Sequence, residues 1–481
     1  MTDSGESLGS QAAKGAAWSG VSSIILRLGS LTVGIILARL LTPQEFGVYA
    51  VALTIQSILI TIADLGLSAD LVRTNDPERI APTVAILGLL SSGTITAITV
   101  VASPFLAQLL GSPEAAPAIA ILAFTLLLAG VSLVPYSMML RRFQQKELFL
   151  IGVADFIVST SVTLGLVAGG FGVLGLAIGR VAAQLIASIL QFFFARVRPR
   201  FSVDRRIVAQ VLSFGLPVAT ANLLAWSLIN IDNIVLVRIA GATALGYYVL
   251  AFNVSSWPMS ALSQSIRAIS LPVFSRSADA GDALSRVLAI GWAAALPAGA
   301  VLAVLSTQVI GVLYGDNWLP SAPVLAALGL FGSLRVVFDV FTAFLYAKGV
   351  TKPVLWIQVV WLIVLTVGMV LATGSFGIFG AGWVHVLVAV VVVLPAYLYA
   401  LRRTGISISR VVHRCWWPTL ATAPSAGIAW FAQGFVTSPL AQLLVGAALA
   451  VAVYGALMWP WATREWKSLR PWVGEPRGEE S

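Results

Sequence analysis

The chain is an almost unbroken succession of apolar runs, each near the length of a membrane-spanning helix, separated by short connections. A helix rises about 1.5 Å per residue, so about 20 apolar residues cross a hydrocarbon core of about 30 Å. The runs place helices near 15–41, 44–68, 83–108, 115–139, 147–169 and 173–195. A second set lies near 207–239, 243–266, 284–311, 321–347, 354–373 and 378–401, and two more near 416–435 and 439–461. Backbone N–H and C=O groups find no partner in lipid, so each run must satisfy its own as a helix. The expected fold is an all-α polytopic membrane protein of about 14 transmembrane helices. Composition excludes a soluble alternative. Only 10% of the residues are charged and 58% are hydrophobic, whereas soluble domains carry about 25% charged residues.

A net charge of +9 raises the question of a nucleic-acid partner. The placement of the cations answers it, because they form no single patch. One set of connections holds Arg73 and Arg79; Arg141, Arg142 and Lys146; and Arg196, Arg198, Arg200, Arg205 and Arg206. It continues with Arg267, Arg276 and Arg286; Lys348 and Lys352; and Arg402, Arg403, Arg410 and Arg414. Of the connections between them, Gly111–Pro117, Gly169–Val173, Gly315–Pro323, Thr373–Phe379 and Gln433–Pro439 contain neither Lys nor Arg, and those after helices one and seven have only Arg39 and Arg238 at their edges. Such alternation is the positive-inside pattern and puts both termini in the cytoplasm. Residues 1–10 carry Asp3 and Glu6 but no cation, so the first run reads as a retained span, not a cleaved leader. The single cysteine, Cys415, excludes an intramolecular disulfide.

An internal repeat divides the chain. Leu37-Ala38-Arg39-Leu40 and Phe46-Gly47-Val48-Tyr49 match Leu236-Val237-Arg238-Ile239 and Leu245-Gly246-Tyr247-Tyr248, with Arg39, Gly47 and Tyr49 each 199 residues before their counterparts. Six helices separate the copies, so the halves share one orientation, a transporter architecture of parallel repeats. The organisation expected is an N-terminal tail (1–14), an N-lobe of helices 1–6 (15–200), a C-lobe of helices 7–12 (201–401), a C-terminal helix pair (402–461) and a cytoplasmic tail (462–481).

Several segments resemble the polysaccharide transporters of the multidrug/oligosaccharidyl-lipid/polysaccharide flippase superfamily. They are Lys14-Gly15-Ala16-Ala17-Trp18-Ser19, the run Leu37 to Tyr49 through Leu41-Thr42-Pro43-Gln44-Glu45, and Asp64-Leu65-Gly66-Leu67-Ser68 onward to Arg73. Leu271-Pro272-Val273-Phe274-Ser275-Arg276, Tyr314-Gly315-Asp316-Asn317-Trp318 and Gly349-Val350-Thr351-Lys352-Pro353 continue the likeness, which covers roughly residues 10–400. The resemblance implies two six-helix lobes around a central cavity plus two C-terminal helices. It also implies flipping of a polyprenyl-diphosphate-linked oligosaccharide across the bacterial inner membrane by alternating access. Lipid-linked oligosaccharide, membrane lipids and the polysaccharide polymerase machinery are the implied partners.

Such a cargo carries an anionic diphosphate and a hydrophilic glycan, so its path needs buried cations and polar walls. Arginine suits the diphosphate because its planar fork stays charged and donates two parallel hydrogen bonds. Arg27, Arg180 and Arg335 lie inside predicted helices and are the candidate cargo contacts. A charge at mid-bilayer costs about 2.5–3.5 kcal/mol or more, so each must face a cavity or a partner. Arg27 has Asp155 or Asp232 as a structural alternative; Arg335 has Asp339 one turn away on the same face. Asp64, Asp155, Asp232 and Asp339 are candidates for ion coupling or gating. Asp232 has Asn230 and Asn233 beside it; Asp64 is positioned to hold Arg73; Pro217, after Gly215, is a candidate hinge. No cofactor or metal is expected, and the coupling ion, H⁺ or Na⁺, stays open.

Three rival functions remain, one of them a lipid scaffold or assembly partner without transport, which would leave the repeated lobes and buried charge without a purpose. A cation-coupled multidrug exporter of the same superfamily shares the helices and lobes, and the internal arginines weigh against it. A glycan polymerase or ligase needs a large outer loop with catalytic Arg or His, whereas every predicted outer connection here is short. His385 and His413 fall in no HExxH pattern, and no GxSxG or P-loop occurs.

Overall fold

The computed structural model describes residues 29–198, 200–276 and 279–473. All regular structure among them is helical. Helix α1 (Gly29–Leu40) stops at a corner, where Thr42 caps α2 (Pro43–Asp64). Thr42 Oγ1 accepts the Glu45 N–H at 3.2 Å, and Glu45 Oε2 accepts the Thr42 N–H at 2.8 Å. Two orphan donors are satisfied reciprocally, and Pro43 opens the helix with its φ preset. The Thr-Pro-Gln-Glu segment is thus a hard stop and restart between two spans.

The chain continues through α3 (Leu67–Arg73), α4 (Pro77–Leu109), α5 (Ala116–Val131), α6 (Leu133–Arg141), α7 (Gln145–Ala168) and α8 (Gly172–Ala195). Helix α9 (Arg205–Arg276) leaves helical geometry at Gly241, which divides it into the two helices expected there. Then follow α10 (Ala280–Val304), α11 (Ser306–Leu313), α12 (Ala322–Ala347), α13 (Thr351–Val388), α14 (Leu394–Arg403), α15 (Ile408–Ala432) and α16 (Pro439–Val473). A π-turn, Ala389–Val393, joins α13 to α14, with the Leu394 N–H bonded to Ala389 O. Pro395 explains it: a proline clashes with the preceding turn of an α-helix, and the wider turn makes room.

Eleven helices among the described residues are long and apolar enough to cross a membrane. Three features separate this count from the expected fourteen. The first segment is described only from Gly29. The segments at 354–373 and 378–401 form one apolar stretch, Thr351–Arg403, broken only by the turn at Gly377. The last is α15, which opens with Arg410 and Arg414 and is not among the eleven. Large apolar side chains lie open on the surface, Val101 at 83% and Val451 at 71% exposure. A protein in water buries such a surface or binds with it; in a bilayer it is the contact with the solvent. The chain is an all-α polytopic membrane protein.

Spatial proximity divides the chain into two compact units, Met1–Gly246 and Tyr247–Ser481. In the first, Leu67, Leu71, Ile80, Val84, Val134, Ile207 and Val211 form a core joining α3, α4, α6 and the start of α9. In the second, Ser333 of α12 donates to Ala295 O of α10 at 2.7 Å, and a Cβ on Gly299 would collide with Ser333 Oγ. Small and hydroxyl residues at a crossing let membrane helices approach closely, because apolar burial alone gives them no advantage over lipid. Leu305, Ala429 and Ala450 fasten α15 and α16 onto α11 in the same unit.

Candidate functional site

Each unit holds a polar cavity inside an apolar bundle. The cavity of the first unit has a volume of about 320 Å³ and is lined by Asp64, Ser92, Ser132, Tyr136, Gln184 and Gln191 among others. Asp64 ends α2, and Ser68 Oγ donates to its Oδ2 at 2.9 Å. The expected Asp64–Arg73 contact is replaced by a nearer one: Arg73 pairs with Asp70 at 3.2 Å, three residues away on α3, and lies over the Phe214 ring. One helical turn brings these two groups together without any tertiary help.

Arg180 of α8 meets Asp155 of α7, with Nη1 3.3 Å from Oδ2 and 3.5 Å from Oδ1. Both side chains keep partial exposure, 38% and 27%. Two candidates that the sequence placed on separate helices are therefore one ion pair. Arg180 also acts electrostatically on Tyr49 of α2.

The cavity of the second unit has a volume of about 200 Å³. Arg335 and Asp339 line it from α12; Ser255, Ser256, Ser260 and Ser263 line it from the second half of α9. The serines recur at helical spacing, so one face of an otherwise apolar span presents hydroxyls. That spacing is legible in the sequence. Phe331 closes the same cavity and packs edge-on against His385, with ring centroids 5.1 Å apart.

His385 is 3% exposed. Its Nδ1 lies 2.8 Å from Ala381 O, so that nitrogen donates, and the Tyr248 hydroxyl 3.3 Å from Nε2 donates to the ring. His385 falls in no catalytic or metal motif, yet the sequence carries a signal for it. Phe171-Gly172-Val173-Leu174-Gly175 and Phe376-Gly377-Ile378-Phe379-Gly380 are 205 residues apart, and the same offset carries Arg180 onto His385. Gly172 (φ 50°) and Gly377 (φ 58°) both take positive φ, which a side chain rarely tolerates. The Tyr248 that meets His385 is the counterpart of Tyr49 in the 199-residue repeat.

The other candidates are dispersed. Arg27 lies outside the described residues. Asp232 is 5% exposed and accepts the Asn233 N–H at 2.9 Å, while the Asn230 amide donates to Trp226 O at 3.1 Å. Pro217 is an exposed residue within a turn of α9 that stays helical, and Gly241 is where that helix departs from helical geometry. Among the described residues no group of three or more His, Cys, Asp or Glu stands close enough to hold a metal.

A family model described as "Polysaccharide biosynthesis protein" matches residues 36–323. The chain is 27% identical over 354 residues to the lipopolysaccharide biosynthesis protein WzxC of Escherichia coli (strain K12), covering 71% of each chain. It is 24% identical over 395 residues to the teichuronic acid biosynthesis protein TuaB of Bacillus subtilis (strain 168), covering 80% of this chain and 81% of that one. It is 26% identical over 330 residues to the succinoglycan biosynthesis transport protein ExoT of Rhizobium meliloti (strain 1021), covering 67% and 66%. Among solved structures it is similar in fold to the lipid II flippase MurJ in an inward closed conformation, with a TM-score of 0.77 at 13% identity over 95% of this chain and 100% of that one. An inward-facing multidrug resistance transporter of the MATE family shares the fold at a TM-score of 0.63 and 16% identity, over 79% and 96%. The family match spans more than half of the chain and begins where α1 runs into the capped corner before α2; the chain belongs to the polysaccharide biosynthesis protein family.

Proposed function

We propose that this chain is a flippase that moves a polyprenyl-diphosphate-linked oligosaccharide across the bacterial inner membrane by alternating access. The observation that carries this reading is the Arg335 guanidinium on the wall of a serine-rich cavity within membrane-spanning helices. A diphosphate in transit needs a permanent cation with a bidentate fork, and a glycan needs hydroxyl partners to replace water. Relatives named for lipopolysaccharide, teichuronic acid and succinoglycan biosynthesis support a glycan cargo, and the fold shared with a lipid II flippase supports a lipid-linked one. These are transport and biosynthesis proteins, and the chain works as a transporter, not an enzyme.

Within this reading Arg27, Arg180 and Arg335 contact the diphosphate. Asp64, Asp155, Asp232 and Asp339 are the sites where H⁺ or Na⁺ couples to movement, and Pro217 is a flexing point. The chain crosses the membrane fourteen times as two six-helix lobes and a C-terminal pair. Both termini are cytoplasmic, and the polymerase machinery receives the cargo.

The test is the membrane face on which lipid-linked oligosaccharide collects in cells depleted of this protein. Complementation uses the native chain and Arg335→Ala at matched expression. Accumulation on the cytoplasmic face, relieved by the native chain alone, supports flipping with Arg335 on the path. Relief by both removes Arg335 from it. Normal distribution with lost efflux of organic cations overturns the flippase in favour of drug export.

A further inference from the structure

A second feature of the first unit is unrelated to its polar cavity. A groove of about 490 Å³ runs between α4, the α5–α6 segment and α8, within the size range of pockets that enclose a small ligand, about 300–1,000 Å³. Its depth is apolar, with Leu89, Val131, Val134 and Phe192 on its walls. Its mouth is basic: Arg142, Arg196, Arg198 and Arg200 stand there with one acidic residue, Glu78. The α5–α6 segment separates this groove from the polar cavity, turning Val134 and Met138 to the groove and Leu133 and Tyr136 to the cavity.

We propose that this groove binds an anionic glycerophospholipid of the surrounding leaflet, acyl chain in the groove and phosphate on the arginines. Three observations carry it. From Glu78 at the mouth to Leu89 in the depth, α4 rises about 16 Å at about 1.5 Å per residue, half of a hydrocarbon core of about 30 Å and therefore one leaflet. Among the described residues no carboxylate lies within ion-pair distance of Arg196, Arg198 or Arg200. Clustered guanidinium groups repel one another, and a phosphate relieves that repulsion while accepting their forked donors. Arg142 already donates to Ala195 O at 2.9 Å, at the end of α8, which fixes one side of the mouth. Basic pockets between spans at the cytoplasmic level are where anionic headgroups bind. The groove walls offer apolar contact in place of glycan hydrogen bonding, which favours a resident membrane lipid over the cargo.

The purified full chain in a mild detergent is titrated with phosphatidylglycerol, phosphatidylcholine of the same chains, polyprenyl diphosphate and inorganic phosphate, and thermal unfolding is followed. Phosphatidylglycerol is expected to raise the midpoint and to half-saturate at a concentration about tenfold below phosphatidylcholine, the preference that bidentate Arg–phosphate bonds confer. R196Q/R198Q/R200Q erases that preference while unfolding without lipid at the native midpoint. Leu89→Trp fills the depth and removes the shift with every arginine in place, so it reads the site even where the triple variant does not fold. Equal response to phosphatidylcholine, or a preference that survives both variants, overturns the proposal. An equal shift from inorganic phosphate makes the site a simple anion site, and tighter binding of polyprenyl diphosphate assigns the groove to the carrier; either outcome sinks the phospholipid.

Discussion

Gly47 and Gly246, equivalent positions of the 199-residue repeat, pack against each other's helix. A Cβ on Gly47 would lie 1.7 Å from the carbonyl oxygen of Ala242, and a Cβ on Gly246 would lie 2.0 Å from that of Pro43. Pro43 and Ala242 are themselves 199 residues apart, so the contact is reciprocal. Equivalent positions meeting through the same atoms is the signature of a local two-fold relation.

Because the obstacles at these glycines are backbone atoms, Gly47→Ala and Gly246→Ala each have nowhere to place a methyl group. Overpacking costs about 1–3 kcal/mol, so both variants should unfold at lower temperature than the native chain. Gly34→Ala is the control, since nothing lies within 4 Å of a Cβ there. Equal melting of all three would show that the close crossing does not form.

Arg180 and Asp155 should behave as a unit. Removing either leaves an uncompensated charge within the membrane, whereas removing both does not. A double-mutant cycle with Arg180→Met and Asp155→Asn should give a coupling of about 0.5–1 kcal/mol in thermal unfolding, the low end set by partial exposure. Strict additivity would separate the two residues.

Asp279 caps α10, accepting the N–H groups of Gly281 and Asp282 at 2.9 Å each, and Arg410 Nη1 lies 3.1 Å from its Oδ2. The Asp282 N–H bond is the main cause, with the Gly281 N–H and Arg410 adding to it, that holds this carboxyl below its usual value of 3.8. A lowered carboxylate value stabilises the fold above the unfolded-state value and loses that contribution as pH falls through the folded-state value. Stability of the native chain should therefore drop in acid, below about pH 4, and Asp279→Asn should flatten that part of the profile. An unchanged profile would remove Asp279 from the account.

Tyr248→Phe deletes the hydroxyl that His385 Nε2 meets, at a cost of about 1 kcal/mol for a typical lost hydrogen bond. Tyr247→Phe, whose ring packs edge-on against Trp318, should cost less. Melting of the two variants side by side decides it, and the reverse order would remove the Tyr248–His385 bond from the site.

Much of the fold was legible because a bilayer tolerates few solutions. The apolar runs, the cation-free connections and the Thr42-Pro43-Gln44-Glu45 corner are each local, and each matches a helix, a connection or a cap. The site was legible only where its members share a helix. Arg335 and Asp339 are one turn apart on α12 and line one cavity, as their spacing requires. Arg180 and Asp155 sit on neighbouring helices, and hydropathy has no term for which faces of two helices meet. His385 was passed over because the second repeat offset, 205, differs from 199, so an ungapped comparison ends before reaching it.

By itself, then, the sequence determined the solvent, the helices and the existence of a repeat, because backbone hydrogen bonding in lipid must be satisfied within each segment. The tertiary structure decided which charges became partners, which serines and arginines line a cavity, and that an arginine-rimmed groove lies on the far side of α5 and α6 from the polar cavity. Those outcomes depend on helix rotation and crossing, set by small-residue contacts such as Gly47 on Ala242. The rotation of a helix about its own axis is a long-range property, and no single apolar run encodes it.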